Sequence, residues 1–474
     1  MRKNDRAKFL NSLEITSTKE LTGQKINNME YFENRQNGTK APPEEMEEIF
    51  KCIADYLSHK WLKSNRSHPL QQLWNRKDAL STNELYFFGS CLKSLAEKDP
   101  KWVKEQITHI KSDHPNNRQG AFFEINALGI LSTHSQDIKP AKGNTPGFDG
   151  TLTLDLGKTM RISIKNYGDS AHYREFNSYA SKFEKKLVEV LKEKNITSIQ
   201  IIIDAINGYP TQANWKKLEE ALPEVLDNVE EGKAKMFSVD NFWAFMYGDL
   251  KDDYQDCHPA YNSYTLLIAS PYHKNEEKNL LDKLDDACAN LSKHSNTEDE
   301  NKINTVFIHL PESASIMRCK EWVENYYSEY PGKPITGVIL YQPTVATDLN
   351  NDANFIHHCF QLVFQNDKFS KWNSISKQIN FTIPVGVANE TPSEIKAILE
   401  IDGKKEITLL NDKYIFQRGH LYLQQKMEAD GTITGNMNRI SSGVFTHSVI
   451  QPFPDQGSFI LSGHFAPIDK LLIL

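Results

Sequence analysis

The spacing of apolar residues separates a polar beginning from a helical stretch. Residues 1–42 are polar and run into NRQNGTKAPPEE, where Asn-Gly and Pro-Pro interrupt any regular period, so we predict an N-terminal arm there. Residues 43–115 contain EEMEEIFKCIADYLSHKWL and TNELYFFGSCLKSLAEKD, in which apolar residues recur at three- and four-residue intervals. This is the pattern of amphipathic helices, and it predicts a helical region.

From residue 116 onward the pattern alternates between helices and strands, which predicts α/β structure. Within residues 116–210 we predict the helix NRQGAFFEINALGILSTH, the strands TLTLDL and MRISIKN, the helix FNSYASKFEKKLVEVLKEK and the apolar strand SIQIIIDA. Within residues 211–373 we predict the strands YTLLIAS, NTVFIHL and ITGVILYQ and the helices EKNLLDKLDDACANL and ASIMRCKEWVENYY. The fold class expected is α/β with a mixed sheet.

Residues 374–474 are rich in short strands with Gly- and Asn-containing turns. The segments concerned are INFTIPVGV, EIKAILEI, KEITLL, GHLYLQQKM and SFILSGHF. They predict a β-rich C-terminal domain. Several cores are expected in any case, because 474 residues exceed what one hydrophobic core usually organises.

Composition is that of an ordinary folded protein, with 39% hydrophobic and 25% charged residues. No apolar run reaches the roughly 18 residues needed to cross a bilayer, and the N-terminus lacks an apolar signal core, so we expect a cytoplasmic protein without membrane contact. Six scattered cysteines suggest neither a disulfide framework nor a zinc ribbon. The net charge of −7 gives no general case for nucleic acid, although residues 101–200 hold 15 basic against 11 acidic residues.

Glu124 is the first candidate for chemistry, because it interrupts the apolar segment AFFEINALGIL. At helical spacing its neighbours are Ala121, Ala127 and Leu128. Burying an unpaired carboxylate costs several kcal/mol, so such a residue normally has a cationic partner, a metal or a proton. A structural ion pair with Arg or Lys is one explanation, and a metal site is the other.

The strand MRISIKN supplies the next candidates. Side chains alternate along a strand, so Ile162 and Ile164 share one face while Ser163 and Lys165 share the other. Asp149 precedes the first strand of the same hairpin, in the segment PGFDG. The pattern therefore brings a carboxylate and an ammonium together.

These residue types suit metal-assisted hydrolysis of a phosphodiester. Asp149 and Glu124 would hold Mg²⁺, or Mn²⁺ in its place, because hard cations prefer oxygen ligands, with the Ile164 carbonyl as an additional ligand. The metal polarises the scissile phosphate. Lys165 would orient or deprotonate the attacking water and stabilise the negative charge of the transition state.

A helix Glu, then Pro146-x-x-Asp149, then a strand ending in x-x-Lys165 resembles the PD-(D/E)XK nuclease superfamily, over residues 117–206. The resemblance implies a restriction-endonuclease-like mixed-sheet core, and a magnesium-dependent endonuclease with Glu124, Asp149 and Lys165 as catalytic residues. The order of elements matches too, with the long helix and SIQIIIDA following the hairpin.

The chain departs from the family pattern at Ser163, where the family has Asp or Glu. Some branches of the superfamily supply that carboxylate from a helix, so Glu124 is the expected substitute and Glu175 a second one. Ser163 would then bind the metal through water. Without such compensation the domain would be a catalytically inactive nucleic-acid-binding protein.

Two further groups have both functional and structural explanations. Tyr167 and Arg174 flank the segment following Lys165 and are candidates for nucleic-acid binding, although an ordinary solvated loop has the same composition. His357-His358-Cys359 resembles a metal tripeptide, but neighbouring ligands on a helix point about 100° apart and no second cluster accompanies them, so packing is favoured.

The sequence therefore favours a magnesium-dependent endonuclease acting on DNA, in restriction or antiviral defence. A homodimer is expected, because cutting both strands with one site per chain commonly requires two chains. One alternative is a nuclease effector gated by a partner or signal, similar to nucleases fused to an Argonaute-partner region. Another is a nucleic-acid-binding or scaffold protein that keeps the fold without the chemistry.

Overall fold

The structure is a computed structural model, and it describes most of the chain between residues 30 and 474. The described residues are 30–32, 35–37, 39, 41–64, 67–132, 137–142, 147–154, 158–196, 198–227, 229–230, 233–248, 263–294, 302–348, 353–365, 383–389, 396–401, 404–409, 412–419, 421–427, 433–439, 449–453, 457–462 and 471–474.

The helices occur in the first part of the chain and between the strands of its middle part. They are α1 (Pro43–Leu57), α2 (His59–Ser64), α3 (Pro69–Asn75), α4 (Ala79–Ala96), α5 (Pro100–Ile110), α6 (Pro115–Ser132), α7 (Ala171–Glu193), α8 (Gln212–Leu226), α9 (Glu276–His294) and α10 (Ile316–Glu329). The predicted helical region is confirmed by α1–α5. Within the described ranges, no helix is both long and apolar enough to cross a membrane.

The strands extend from residue 137 to residue 462. They are β1 (Asp137–Pro140), β2 (Gly150–Thr153), β3 (Thr159–Asn166), β4 (Ser198–Ala205), β5 (Ala234–Val239), β6 (Phe242–Gly248), β7 (Ser263–Pro271), β8 (Lys302–His309), β9 (Gly337–Asp348), β10 (Ala353–Phe364), β11 (Val387–Asn389), β12 (Lys396–Ile401), β13 (Lys404–Leu409), β14 (Lys413–Gly419), β15 (Leu421–Met427), β16 (Ile433–Arg439), β17 (Val449–Phe453) and β18 (Gly457–Ser462). The mixed α/β class is confirmed.

The first sheet contains the candidate strand β3 and has the order β1-β2-β3-β8-β9-β10-β11. β3 pairs antiparallel with β2 and parallel with β8, while β9 pairs antiparallel with β10, so the sheet is mixed. β18 also pairs with the end of β9, and β17 pairs with β18.

The second sheet has the order β14-β7-β4-β6-β5. The single core over residues 117–206 that the resemblance implies is not what the structure has, since SIQIIIDA (β4) lies in the second sheet and β8 is the parallel neighbour of β3. Both β4 and β8 are apolar strands, and their composition does not specify which one pairs with β3. Residues 116–210 thus contribute to two sheets rather than forming one core.

The predicted richness in strands after residue 374 is confirmed, but the described strands are divided among several sheets. β11, β17 and β18 join the first sheet, and β14 joins the second. β12 with β13, and β15 with β16, form separate two-stranded pairs. The start of the predicted strand INFTIPVGV, before residue 383, and most of the predicted N-terminal arm lie outside the described residues.

Helices cover both faces of the first sheet next to β3. On one face Ile162 packs in a core that includes Ile125 and Leu128 of α6, and on the other Val306 and Ile308 of β8 pack with α9 and α10. α6 also lies very close to α4, where a Cβ on Gly129 would come within 2.3 Å of the Cβ of Cys91. This contact fixes the position of α6, and with it Glu124, over the sheet.

Candidate active site

Asp149 lies at the bend that leads into β2, and backbone hydrogen bonds hold it on both sides. Its N–H donates to the carbonyl of Ile162 at 2.8 Å, and its own carbonyl accepts from the N–H of Ala141 at 2.9 Å. Its carboxylate oxygen Oδ2 accepts from the N–H of Ile164 at 2.5 Å. The Asp149 carboxylate is therefore fixed beside the middle of β3.

Glu124 projects from α6 into the same region and is partly buried. Its Oε2 accepts a hydrogen bond from Nε2 of Gln106, on α5, at 2.8 Å. Among the described residues, neither Oε1 of Glu124 nor Oδ1 of Asp149 has a hydrogen-bond donor. Glu124 also forms no ion pair with any described residue. A structural ion pair, one of the two explanations offered by the sequence, therefore does not account for the burial of this carboxylate.

Lys165 occupies the second-to-last position of β3, opposite Ile308 of β8, and is partly buried. Within the described part of the chain its ammonium has no hydrogen bond and no ion pair. Another partly buried lysine, Lys413, is paired directly with Asp204. Lys165 is thus an unpaired cation whose charge acts on both Glu124 and Asp149.

The electrostatics of the two carboxylates reflect a partly dehydrated site. Burial, followed by the charge of Asp149, raises the pKa of Glu124 to about 7, against the opposing effects of Gln106 and Lys165. Burial also raises the pKa of Asp149, although the Ile164 N–H and Lys165 act against it. The ionised forms are disfavoured by burial, and a bound cation would relieve that cost.

The donor set fits Mg²⁺ in part. Two carboxylates, each with one oxygen that lacks a donor, suit a hard cation that keeps several water ligands. However, the described residues contain no group of three or more His, Cys, Asp or Glu side chains placed to hold a metal. A metal at this position would therefore depend on Asp149, Glu124, water and backbone oxygen.

Ser163 is only 2% exposed and lies opposite Val306 on the α9–α10 side of the sheet. Ile162 is buried, and Ile164 packs partly, against the core on the α6 side. The predicted alternation along β3 is therefore confirmed. The N–H of Ile164 holds Asp149, which places this residue directly beside the site.

The residues that follow β3 have different environments. The hydroxyl of Tyr167 donates to Oε2 of the buried Glu276 at 2.5 Å, and Glu276 also accepts from Tyr414 of the second sheet. Tyr167 thus contributes to a hydrogen-bonded connection between the two sheets. Arg174, in the first turn of α7, is exposed and without a side-chain partner among the described residues.

Glu175, the second candidate for the missing carboxylate, is exposed on α7. Its Oε2 accepts from the hydroxyl of Tyr209 at 3.3 Å and lies 4.0 Å from Nδ1 of His172. None of these contacts involves Asp149 or Glu124. Of the two substitutes considered, the structure thus brings only Glu124 together with Asp149 and Lys165.

His309 was not among the residues singled out from the sequence, and it lies next to the site. It ends β8, directly opposite Asn166, and its ring packs at a tilt of 33° against that of Phe123, with centroids 3.8 Å apart. His309 is 5% exposed, yet neither of its ring nitrogens has a hydrogen-bond partner, and Oδ1 of Asn166 also lacks one. Burial lowers the pKa of His309 to about 3, so the ring is neutral.

Both polar groups lie close to site residues: His309 contacts Phe123, the sequence neighbour of Glu124, and Asn166 follows Lys165 directly. Buried polar groups are normally hydrogen-bonded, so an ordered water or a bound ligand would be needed to satisfy these two. The sequence offered one signal, a histidine at the end of an apolar strand. The proximity of His309 to Lys165 depends on the pairing of β3 with β8, which the spacing of residues along the sequence does not specify.

The triplet His357-His358-Cys359 is buried on strand β10, so the helix assumed for it in the sequence analysis is wrong. Both ring nitrogens of His358 have structural partners, the hydroxyl of Tyr341 at 2.8 Å and the carbonyl of Val385 at 2.9 Å. The packing explanation therefore accounts for His358.

No protein-family model and no curated protein matches this chain.

Proposed function

We propose that this protein is a metal-dependent nuclease that hydrolyses phosphodiester bonds in DNA, with Mg²⁺ bound by Asp149 and Glu124. The observation that carries the proposal is the unpaired ammonium of Lys165, which acts on two partly buried carboxylates that each have one oxygen without a donor. Charged side chains that are partly buried and unpaired lower the stability of the folded protein, and such arrangements are common at catalytic sites.

The residues have separate roles in this proposal. Mg²⁺, when bound, polarises the scissile phosphate and lowers the pKa of a water ligand. Asp149, held by the Ile164 N–H, offers its second oxygen in a fixed position. Glu124 would offer its other oxygen, and a bound cation would favour the ionised carboxylate, whose pKa burial raises to about 7. Lys165 orients the attacking water and stabilises the negative charge that develops on the phosphate.

DNA as the substrate, a homodimer and a setting in restriction or antiviral defence follow from the resemblance to PD-(D/E)XK nucleases and belong to the same proposal. Gating by a partner, of the Argonaute type or another, is a variant of it. Arg174 supports contact with the backbone of a nucleic acid, since it is exposed and without a side-chain partner among the described residues.

One observation favours the catalytically inactive alternative. Ser163 stands at the family's carboxylate position and is 2% exposed, so the metal site has one carboxylate fewer than the family pattern. An inactive protein of this fold would bind nucleic acid or act as a scaffold without cutting.

The test is incubation of purified protein with plasmid, linear duplex, single-stranded DNA and RNA, in Mg²⁺, Mn²⁺ or EDTA. We expect nicking or cutting of DNA with either metal and none with EDTA. Asp149→Asn keeps an acceptor for the Ile164 N–H but removes the charge, so it should abolish cleavage. Asp137→Asn, an exposed change on β1, is the matched control. Metal-independent cleavage, or full activity in Asp149→Asn, would refute the proposed site.

A further inference from the structure

Residues 471–474 lie against the helical region, far in sequence from the helices they contact. Oε1 of Glu84, on α4, accepts the N–H groups of three successive residues: Leu472 at 2.8 Å, Ile473 at 2.7 Å and Leu474 at 3.2 Å. Three main-chain donors thus converge on one carboxylate oxygen. This is recognition of backbone rather than of any particular side chain.

A second helix completes the contact. Nδ2 of Asn126, on α6, donates to the carbonyl of Ile473 at 3.5 Å. The Ile473 side chain is 4% exposed and belongs to the same apolar core as α4 and α6, with Leu471, Leu472 and Leu474 packed partly against it. The segment therefore bridges α4 and α6 through both its main chain and its side chains.

The carboxylate of Glu84 is costly to keep in this position. Glu84 is fully buried, has no ion-pair partner among the described residues, and its Oε2 has no hydrogen-bond donor. Burial raises the pKa of Glu84 to about 7, although the hydrogen bonds from the three N–H groups lower it. Among the described residues, the hydrogen bonds of this carboxylate all come from residues 472–474, so removal of the segment would leave it without them.

Glu84 and Asn126 are also placed to affect the candidate active site. Asn126 is two residues after Glu124 on α6, and α4 packs against α6 at the close contact between Cys91 and Gly129. A segment bound by both helices therefore helps to fix the helix that carries Glu124.

We propose that the surface formed by α4 and α6 is a peptide-binding site for a short apolar segment whose backbone turns so that successive N–H groups converge on Glu84. Residues 471–474 are its ligand, and binding of this ligand holds α6 and Glu124 in place. Its apolar side chains pack against both helices while Glu84 accepts hydrogen bonds from successive peptide N–H groups, so main-chain hydrogen bonds supply affinity and side-chain packing supplies specificity. Only the consequence for cleavage rests on the proposed nuclease function.

Hydrogen exchange on the full-length, metal-free protein tests the proposal without reference to nuclease activity. We expect Glu84→Leu to accelerate exchange of the amides of residues 472–474 at least about tenfold, because hydrogen bonds to a charged group are lost. Amides in residues 120–130 of α6 should also exchange faster. Glu97→Leu, a change of an exposed residue just beyond α4, is the matched control and should alter neither set.

A second measurement tests binding directly. A labelled peptide PIDKLLIL, covering residues 467–474, is added to a variant that lacks 471–474, and its fluorescence anisotropy is recorded. We expect saturable binding that weakens at least about tenfold when Glu84→Leu is added, or when the last three peptide amides are N-methylated. Unchanged exchange at 472–474 in full-length Glu84→Leu would overturn the proposal, even if the shortened variant does not fold. If only the exchange of the α6 amides is unchanged, the coupling to Glu124 is refuted. Failure of the wild-type protein to cleave DNA would refute the proposed nuclease function and has no bearing on either exchange result.

Discussion

At the residue scale, the site is defined by side chains whose polar atoms lack partners. Lys165 has no ion pair, and Glu124 and Asp149 each have an oxygen without a donor, among the described residues. Residue types and local spacing were sufficient to propose these three, because strand alternation and an isolated carboxylate are visible in sequence. His309 could not be found in this way, since it reaches the site by pairing between distant strands.

Lys165→Met should lower the rate of cleavage about 10²–10³-fold while leaving the melting temperature in Mg²⁺ nearly unchanged. The substitution keeps the aliphatic length but removes an ammonium that has no structural partner among the described residues. Loss of one transition-state donor costs about 10²–10³ in rate. Lys139→Met on β1, where the lysine is paired with Asp137 at the surface, is the control and should cut normally. A Lys165→Met protein with wild-type turnover would exclude the proposed role.

His309→Phe should raise the melting temperature and lower the rate of cleavage. The histidine buries two ring nitrogens without partners, so an apolar ring of similar shape removes an unsatisfied polar group. Opposite effects on stability and turnover indicate that the ring serves the site. The measurements are a thermal melt and plasmid nicking with saturating Mg²⁺. A destabilised His309→Phe would instead indicate a structural role for the imidazole.

Ser163→Asp should destabilise the metal-free protein by at least about 2 kcal/mol, because Ser163 is 2% exposed and a new charge would be buried there. If the new carboxylate reaches the metal position, Mg²⁺ should raise the melting temperature of Ser163→Asp more than that of wild type. Calorimetric titration with Mg²⁺ gives the affinity independently. An equal Mg²⁺ effect in both proteins would show that Ser163 does not face the metal.

At the scale of elements, helices and strands were far easier to predict than their partners. The helical period over α1–α5 and the alternation in β3 are local properties, and both predictions are confirmed. The pairing of β3 with β8 rather than β4 depends on which of two similar apolar strands packs between the helices. Likewise, nothing local distinguishes β14, which joins the second sheet, from β11, which joins the first.

Helix α6 offers a matched pair of glycines for testing how strictly Glu124 is positioned. Gly129→Ala should destabilise by about 1–3 kcal/mol and reduce cleavage, because the new Cβ would meet Cβ of Cys91 at 2.3 Å and force α6 away from α4. Gly120→Ala has nothing within 4 Å and should stabilise by about 0.5–1 kcal/mol. Thermal melts and nicking assays measure both. Unaltered cleavage in a destabilised Gly129→Ala would show that the position of α6 is not critical.

At the scale of the whole molecule, stability and metal binding should depend on pH through Glu124. Its pKa is about 7 in the folded protein against an ordinary 4.5, so the folded state retains the proton more tightly. The resulting stabilisation is present below about pH 4.5 and is lost as pH rises through about 7. Metal-free protein should therefore lose about 1–3 kcal/mol of unfolding free energy from this group between pH 5 and pH 8.

Glu124→Gln should remove that part of the pH dependence and be more stable than wild type at pH 8 without metal. Glu84, whose pKa is raised in the same direction, is present in both proteins and cancels in the comparison. Mg²⁺ should stabilise wild type increasingly with pH but have little effect on Glu124→Gln. Chemical denaturation at several pH values provides the free energies. A Glu124→Gln protein that is less stable at pH 8 would indicate that the carboxylate is a structural anchor.

The parallel pairing of β3 with β8 also sets the order in which the protein can mature during synthesis. β3 ends at residue 166, and β8 begins at residue 302, after all of the second sheet except β14 has been made. At about 5–20 residues per second, a ribosome takes on the order of ten seconds to cover that distance. During this time β3, with Ser163 and Lys165, and the adjoining Asp149 lack the neighbouring strand β8. A nascent chain therefore acquires the complete strand arrangement around Lys165 only late in translation, which delays any cutting activity until most of the protein exists.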